Sequence, residues 1–338
     1  MAWTLASIVA TGILWYGAGM LEQSSERLSV HYGLPDAVRG TMIVAIGSSF
    51  PELSTVVLST LLHGDFELGV SAIVGSAIFN ILMIPALSGI YSRRSMDFSR
   101  NFLYQEAQFY LLAIAVVFLT FSFSVIYSPD MIGTGGQIIG LLSRPLALIP
   151  ITLYGIYVFI QYQDATDYDQ PVHDEVIRGL KEWGKLLIGL LLILVGVEVL
   201  LRAVIRLGNF LNTPSFLWGV TVVAVSTSLP DTMASVRLAG DGYPVTSIAN
   251  VFGSNVFDLL VCIPAGVLIA GATTVNFSIA VPLFVALTIG TFVLFLLIRT
   301  NMVLSVGECW GLLGVYGFFV VWIVLESLGT INSLATLP

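Results

Sequence analysis

The stretch "VAIGSSFPELSTVVLST" (residues 44–60) decides how this chain reads. It sets a glycine, two serines, a proline and a glutamate close together inside an apolar run, where a helix crossing a bilayer would carry leucine. Pro51 has no N–H, so the carbonyl of Gly47 loses its helical partner. Gly47 itself loosens the helix at the same point. A bare carbonyl in lipid is costly, so another group must satisfy it. A dehydrated cation would. The hydroxyls of Ser48 and Ser49 add oxygen ligands. Glu52 follows Ser48 by four residues and shares its helix face, so its carboxylate brings charge to the same place.

The rest of the chain makes lipid the solvent. Of 338 residues, 57% are hydrophobic and 10% charged, against roughly 25% charged in soluble domains. Ten apolar runs recur, at 2–24, 37–62, 66–90, 104–128, 136–161, 183–207, 213–236, 244–271, 276–299 and 305–328. Each is long enough to span, which takes about 20 residues. Backbone groups in lipid must pair internally, so these runs are predicted to be helices rather than open strands; the alternation of an outer-membrane barrel is absent. The first run lacks a basic flank and reads as a span, not a cleaved signal. Cys262 and Cys309 read as packing residues. With the N-terminus outside, the inner face receives Arg27, Arg39, Arg93, Arg94, Arg100, Arg178, Lys181, Lys185, Arg237 and Arg299. The outer face receives only Arg144, Arg202 and Arg206. That bias predicts a multi-pass protein of the cell membrane with both termini extracellular.

The chain repeats itself. At a shift of 179, Pro35 meets Pro214, Gly40 meets Gly219, Ala45 meets Ala224, and "SSFPE" (48–52) falls on "TSLPD" (227–231). At a shift of 178, "VGSAIFN" (74–80) falls on "FGSNVFD" (252–258). Residues 1–162 and 182–338 therefore read as two five-span units, carrying motifs at 44–80 and 223–258, with a short acidic connector (163–181) between them. Five is odd, so the second unit enters the membrane inverted. The fold class expected is all-α and polytopic, with ten transmembrane helices as two inverted five-helix repeats. Transporters built this way place the substrate near the bilayer midplane, on interrupted helices.

The second unit repeats the chemistry with Thr227, Ser228, Pro230 and Asp231, although Ser226 replaces Gly47 and predicts a tighter break. The partner motifs add Ser76 and Asn80 on one face, and Ser254 and Asp258 on another. Gly75 and Gly253 are expected to let neighbouring helices approach. All these ligands are oxygens, which argues for hard cations such as Ca²⁺ and Na⁺ over zinc or copper. Glu52, Asp231 and Asp258 together cannot stay ionised and empty in a low dielectric; they must hold cations or take up protons. One divalent ion or several monovalent ions would balance them in turn, which is what an exchanger needs. Gly, Pro and Ser alone are tolerated as kinks in membrane helices; the membrane-embedded carboxylate and its duplicate speak against that reading.

At these residues the chain resembles the cation/Ca²⁺ exchanger superfamily, in its Na⁺/Ca²⁺ exchanger branch. "AIGSSFPEL" through "GSAIFNILMIPAL" is similar to the first family repeat motif, and "AVSTSLPDTMAS" through "GSNVFDLLVCIP" to the second. The resemblance implies a ten-helix antiporter that moves Ca²⁺ against a Na⁺ gradient by alternating access, without a cofactor. It implies Ca²⁺ ligands at Glu52 and Asp231, helped by backbone carbonyls near Ala45 and Ala224 or Ser48 and Thr227. It implies Na⁺ sites at Ser49, Ser76, Ser228 and Ser254, with Asn80 and Asp258 completing the centre, and spans one and six as a long tilted pair sliding over the core. The short connector marks a prokaryotic-type transport core. Asp258 follows the K⁺-dependent members, so K⁺ transport stays open, as does the number of subunits; nucleic acid is not an expected partner.

Other classes fit less well. Proton coupling usually goes with a different first motif. An aspartyl intramembrane protease wants a "GxGD" string in a span, and the only similar one, "AGDGYP" (239–244), falls in a predicted loop. A serine version wants a histidine in the membrane, and His31, His63 and His173 are all predicted in loops. A passive cation channel is the remaining alternative. Glu198 is expected to pair with Arg202 along one helix. Glu22, Glu106, Glu308 and Glu326 are expected near water or headgroups.

Overall fold

Apolar runs fold as helices where lipid offers the backbone no other partner, and the computed structural model is built almost wholly of them. It describes residues 2–32, 45–128, 138–165 and 179–327. In chain order the helices are α1 (Ala2–His31), α2 (Ala45–Ser48), α3 (Phe50–His63), α4 (Phe66–Ser92), α5 (Arg100–Tyr127), α6 (Arg144–Ala165), α7 (Gly179–Leu211), α8 (Ser215–Trp218), α9 (Ala224–Gly240), α10 (Pro244–Phe257), α11 (Ile263–Ala270), α12 (Phe277–Asn301) and α13 (Val306–Ser327). Two π-helical turns, Gly219–Val223 and Asp258–Cys262, join α8 to α9 and α10 to α11. Among the described residues eight helical stretches are long and apolar enough to cross a membrane, the α10–α11 stretch counting as one. The predicted runs 37–62 and 213–236 are not among them: their longest helices, α3 and α9, have only 14 and 17 residues, and residues 37–44 lie outside the described part. So do Pro35, Arg39, Gly40, His173 and most of the acidic connector.

The expectation of helices alone is corrected at the span ends. Four short strands form two antiparallel pairs, β1 (Met96–Asp97) with β4 (Val303–Leu304) and β2 (Ile139–Ser143) with β3 (Ala272–Asn276). Within the run predicted as helix from 136, Ile139–Ser143 form β2 and the helix starts only at Arg144, where Pro145 suits a first helical turn because its missing N–H would have no partner there. On the other side Gly271 takes φ 99° and stops α11. The β-branched Thr273, Thr274 and Val275 that follow favour a strand. Each strand satisfies the other's backbone.

Helix α4 is the centre of the molecule. Twenty-one of its 27 residues are buried, and it is apolar all round, as an enclosed helix must be. A tight corner delivers the chain to it: Gly64 closes α3 in the left-handed conformation (φ 63°), and Asp65 caps α4 by accepting from Leu68 N at 2.9 Å. Helices α3, α9, α12, α13 and the Gly219–Val223 turn pack around it. Helices α1 and α7 form a separate pair outside this core, with its own apolar seam of Ala10, Leu14, Ala18, Leu21, Ile193 and Val197. They have 30 and 33 residues, roughly 45–50 Å at 1.5 Å per residue, well beyond a 30 Å hydrocarbon core. Their backbones nearly touch: a Cβ on Gly189 would sit 2.9 Å from the Gly17 carbonyl oxygen. They run antiparallel, since Trp183 Nε1 donates to the Tyr32 hydroxyl at 3.0 Å while Gly196 lies against Ala10 and Leu14.

Several charged side chains depart from expectation. Glu106 and Glu326 are only 9% exposed. Sequence gives depth along a span but not which face packs; α6 covers Glu106, and Gln161 Nε2 donates to its Oε1 at 3.2 Å. Glu22 is half-buried. Glu308 closes a capping box at the start of α13, its Oε2 accepting from Ser305 N at 2.8 Å. Glu198 pairs with Arg202 as expected, and also meets His63 Nε2, at 3.1 Å, at the end of α3.

Candidate ion-binding site

The two motif regions break their helices differently. In the first, the helix is interrupted at Ser49 (φ −89°, ψ 8°), between α2 and α3. Pro51 then lies in the first turn of α3, where an N–H is not needed. Glu52 lies in the same turn, where the helix dipole favours a negative charge. In the second, α9 runs unbroken through Pro230. The irregularity moves upstream into the Gly219–Val223 π turn. Ser226, in the place of Gly47, is held by α1: its hydroxyl lies 2.9 Å from that of Thr11. The second π turn begins at Asp258 itself; such turns re-aim side chains and often mark functional sites.

Ser48, Ser49, Glu52, Ser76, Asn80, Thr227, Ser228, Asp231, Ser254 and Asp258 are all buried, with Glu52 and Asp231 each 1% exposed. They converge across the two halves of the chain. Ser76 and Ser228 share a hydrogen bond of 2.6 Å. Glu52 faces the Thr227 hydroxyl and lies within the fields of Asp258 and Asp231. Asp231 faces Ser48 and Ser254, and Asp258 faces Ser49. Ala45 opens α2 and Ala224 opens α9. The Ala224 carbonyl is not bare: Thr227 Oγ1 lies 3.3 Å from it and 3.2 Å from the Val223 carbonyl. Gly75 does seat a neighbour, for a Cβ there would meet the Val220 backbone at 2.6 Å, whereas Gly253 has nothing within 4 Å and brings no helix closer. A glycine in sequence says that a Cβ is dispensable, not that something fills its place.

The polar bookkeeping of this centre is lopsided. Ten buried side-chain oxygens among the described residues lack a hydrogen-bond partner, and seven belong to Ser49, Glu52, Asn80, Asp231 and Asp258. Buried polar groups are normally paired, and those left over call for an explanation. None of the ion pairs among the described residues involves these three carboxylates. Nor do three Asp, Glu, His or Cys side chains among the described residues cluster tightly enough to hold a metal unaided. Hydroxyls from both halves stand beside the acidic groups instead. The oxygens gathered here are of the hard type that suits Ca²⁺ and Na⁺.

Two further residues touch the centre. Cys262 is more than packing: its thiol donates to Asp258 Oδ1 at 3.6 Å, across one turn of the π segment. Asn255, fully buried, accepts from Asn80 Nδ2 at 3.0 Å. Its signal lay in the sequence, since "GSNVFD" carries a polar residue where "GSAIFN" has Ala77.

Helices long enough to span and buried oxygens brought together from both halves of the chain are the features of a membrane transporter. The chain belongs to the sodium/calcium exchanger protein family, whose sequence pattern matches residues 2–163 and 181–325. It is 27% identical over 287 residues to an uncharacterised membrane protein of Methanocaldococcus jannaschii, covering 83% of this chain and 86% of that one. It is 25% identical over 337 residues to human sodium/potassium/calcium exchanger 5, covering 70% of this chain and 64% of that protein. Among solved structures, the sodium-calcium exchanger NCX_Mj shares the fold, with a TM-score of 0.62 at 20% identity over 95% of this chain and 98% of that one.

Proposed function

We propose that this protein is a secondary antiporter that exchanges Na⁺ for Ca²⁺ by alternating access. Glu52 and Asp231 are the principal Ca²⁺ ligands, with carbonyls near Ala45 and Ala224 or Ser48 and Thr227. Ser49, Ser76, Ser228 and Ser254 serve Na⁺, and Asn80 and Asp258 complete the centre. The observation that carries the reading is the set of seven unpartnered buried oxygens on five residues from both halves. Negative charge without a protein counter-charge, in a site rich in hydroxyls, suits one divalent or several monovalent ions. The test is radiolabelled Ca²⁺ uptake into Na⁺-loaded proteoliposomes. Uptake is expected to need the outward Na⁺ gradient. Uptake that follows a pH gradient and ignores Na⁺ would replace Na⁺ with protons, and flux without a counter-ion would make the protein a channel. A K⁺ arm asks whether Asp258 brings K⁺ with it, as in the name of the human relative.

The same proposal includes ten crossings as two inverted five-span halves (1–162 and 182–338), joined by 163–181. Support comes from which ends meet. β2 and β3 pair, so they lie on one side of the membrane. An even number of crossings must separate them; α6, α7 and α10–α11 make three, so α8–α9 makes the fourth. Arg27 near the end of α1 pairs with Glu182, while His63 at the end of α3 meets Glu198, sixteen residues further along α7. That is roughly 24 Å of helix rise, so α2–α3 crosses too. With the termini outside, cysteines at the exposed Asn209 and Asp241 flank the α8–α9 crossing. An impermeant thiol reagent added to intact cells is expected to label Asn209→Cys and spare Asp241→Cys. The reverse pattern would invert the orientation, and labelling of both would remove the crossing.

A further inference from the structure

We infer that Asn255 is a positioning residue that turns the Asn80 amide so that its oxygen, not its nitrogen, faces the transported cation; the inference rests on the exchange reading above. The argument follows the hydrogen-bond polarity outward from a group that has no choice. The Ala77 backbone carbonyl can only accept. Asn255 Nδ2 lies 3.2 Å from it and donates. The same nitrogen donates to the Tyr110 hydroxyl at 3.1 Å, so both of its hydrogens are placed. Asn255 Oδ1 must then accept, and its partner, Asn80 at 3.0 Å, must present Nδ2. That leaves Asn80 Oδ1 on the opposite side of the amide, buried and without a partner. Flipping Asn80 would set two carbonyl-type oxygens against each other near 3.0 Å.

The lock has a consequence for binding. In a pocket lined by carboxylates, an unrestrained amide would offer its NH₂ to them whenever the cation left. It would then have to turn back before coordinating the next one. Held by Asn255, it keeps an acceptor in place throughout. The lock spans three helices, with Ala77 and Asn80 on α4, Tyr110 on α5 and Asn255 on α10, and all four residues are buried. The first half has no such device at the matching position, because Ala77 occupies it. The second half needs none, because Asp258 has two equivalent oxygens and no wrong way round.

The lock supplies the test. Asn255→Leu keeps the γ-branched shape and removes the polarity. The Ca²⁺ dependence of the melting temperature, read in detergent on the whole protein, is expected to shift to concentrations roughly tenfold higher or more, as when groups orienting a metal ligand are lost. Asn80→Ala removes the amide that is to be oriented, where an aspartate would set a second acceptor against Asn255 Oδ1. In that background Asn255→Leu is expected to shift the Ca²⁺ midpoint by less than about twofold, against the tenfold estimate for oriented ligands. An equal shift in both backgrounds would make Asn255 a purely structural residue, and an unshifted midpoint in Asn255→Leu alone would remove the lock. If the leucine variant does not fold, Asn255→Ser is read by the same criteria. A wild-type protein that takes no stabilisation from Ca²⁺ would instead overturn the exchange reading.

Discussion

Glu52→Gln and Asp231→Asn are each expected to abolish Ca²⁺ exchange while leaving a folded protein. Each carboxylate is buried, carries two oxygens without a hydrogen-bond partner, and has no cationic side chain paired with it. In the loaded state the ion is its counter-charge. Removing one member of a buried charge pair costs about 3–5 kcal/mol. At about 1.4 kcal/mol per tenfold, that is roughly two to three and a half orders of magnitude in affinity. The amide keeps the shape and an acceptor oxygen, so packing against Thr227 or Ser254 should survive.

A second readout separates a lost ligand from a damaged fold. In ion-free medium the wild-type carboxylates must take up protons or repel one another, so the amide variants are expected to melt at the wild-type temperature or above it. Ca²⁺ stabilises a protein that binds it in proportion to RT ln(1 + [Ca²⁺]/Kd). That increment is expected in the wild type and absent from both variants. Either variant exchanging Ca²⁺ at the wild-type rate would place the ion elsewhere.

The chemistry of the centre was legible because it is written twice. A proline and a carboxylate inside an apolar run have ordinary explanations once, and few when "SSFPE" and "TSLPD" recur at a fixed shift. Long apolar runs likewise announced most of the helices. What was not legible is what depends on faces and partners. Period and hydropathy place Glu106 at a depth along α5, yet only the packing of α6 decides that it is buried. Ser226 in place of Gly47 announced a tighter second break, but not that the distortion would lie upstream in the Gly219–Val223 turn or that Thr11 of α1 would meet Ser226. β2 and β3 lie 129 residues or more apart in the chain, and nothing local in an apolar stretch says that it will find a strand partner that far away. Asn255 was visible as a residue but not as a role, which depends on a carbonyl and a hydroxyl brought from two other helices.

Gly75→Ala against Gly253→Ala tests whether the centre depends on a close approach in one half only. Both glycines precede the serine of a "GS" pair in a repeated motif, so sequence symmetry predicts equal effects. The packing predicts unequal ones. At Gly75 an added methyl would lie 2.6 Å from the Cα and the carbonyl oxygen of Val220. These are backbone atoms of the π turn and have no rotamer to escape into. Overpacking of this kind costs typically about 1–3 kcal/mol, more than the ~0.5–1 kcal/mol by which alanine favours a helix over glycine. The strain falls beside the 2.6 Å contact between Ser76 and Ser228, the closest link between the two halves at the centre. Gly75→Ala is therefore expected to lower the melting temperature and to remove most Ca²⁺ exchange together. At Gly253 nothing lies within 4 Å, so alanine is expected to leave transport intact and stability unchanged or raised by up to ~1 kcal/mol. Proteoliposome flux and thermal melts on both variants decide it. If the two behave alike, α4 is not seated on Val220, and the centre is not held together through that contact.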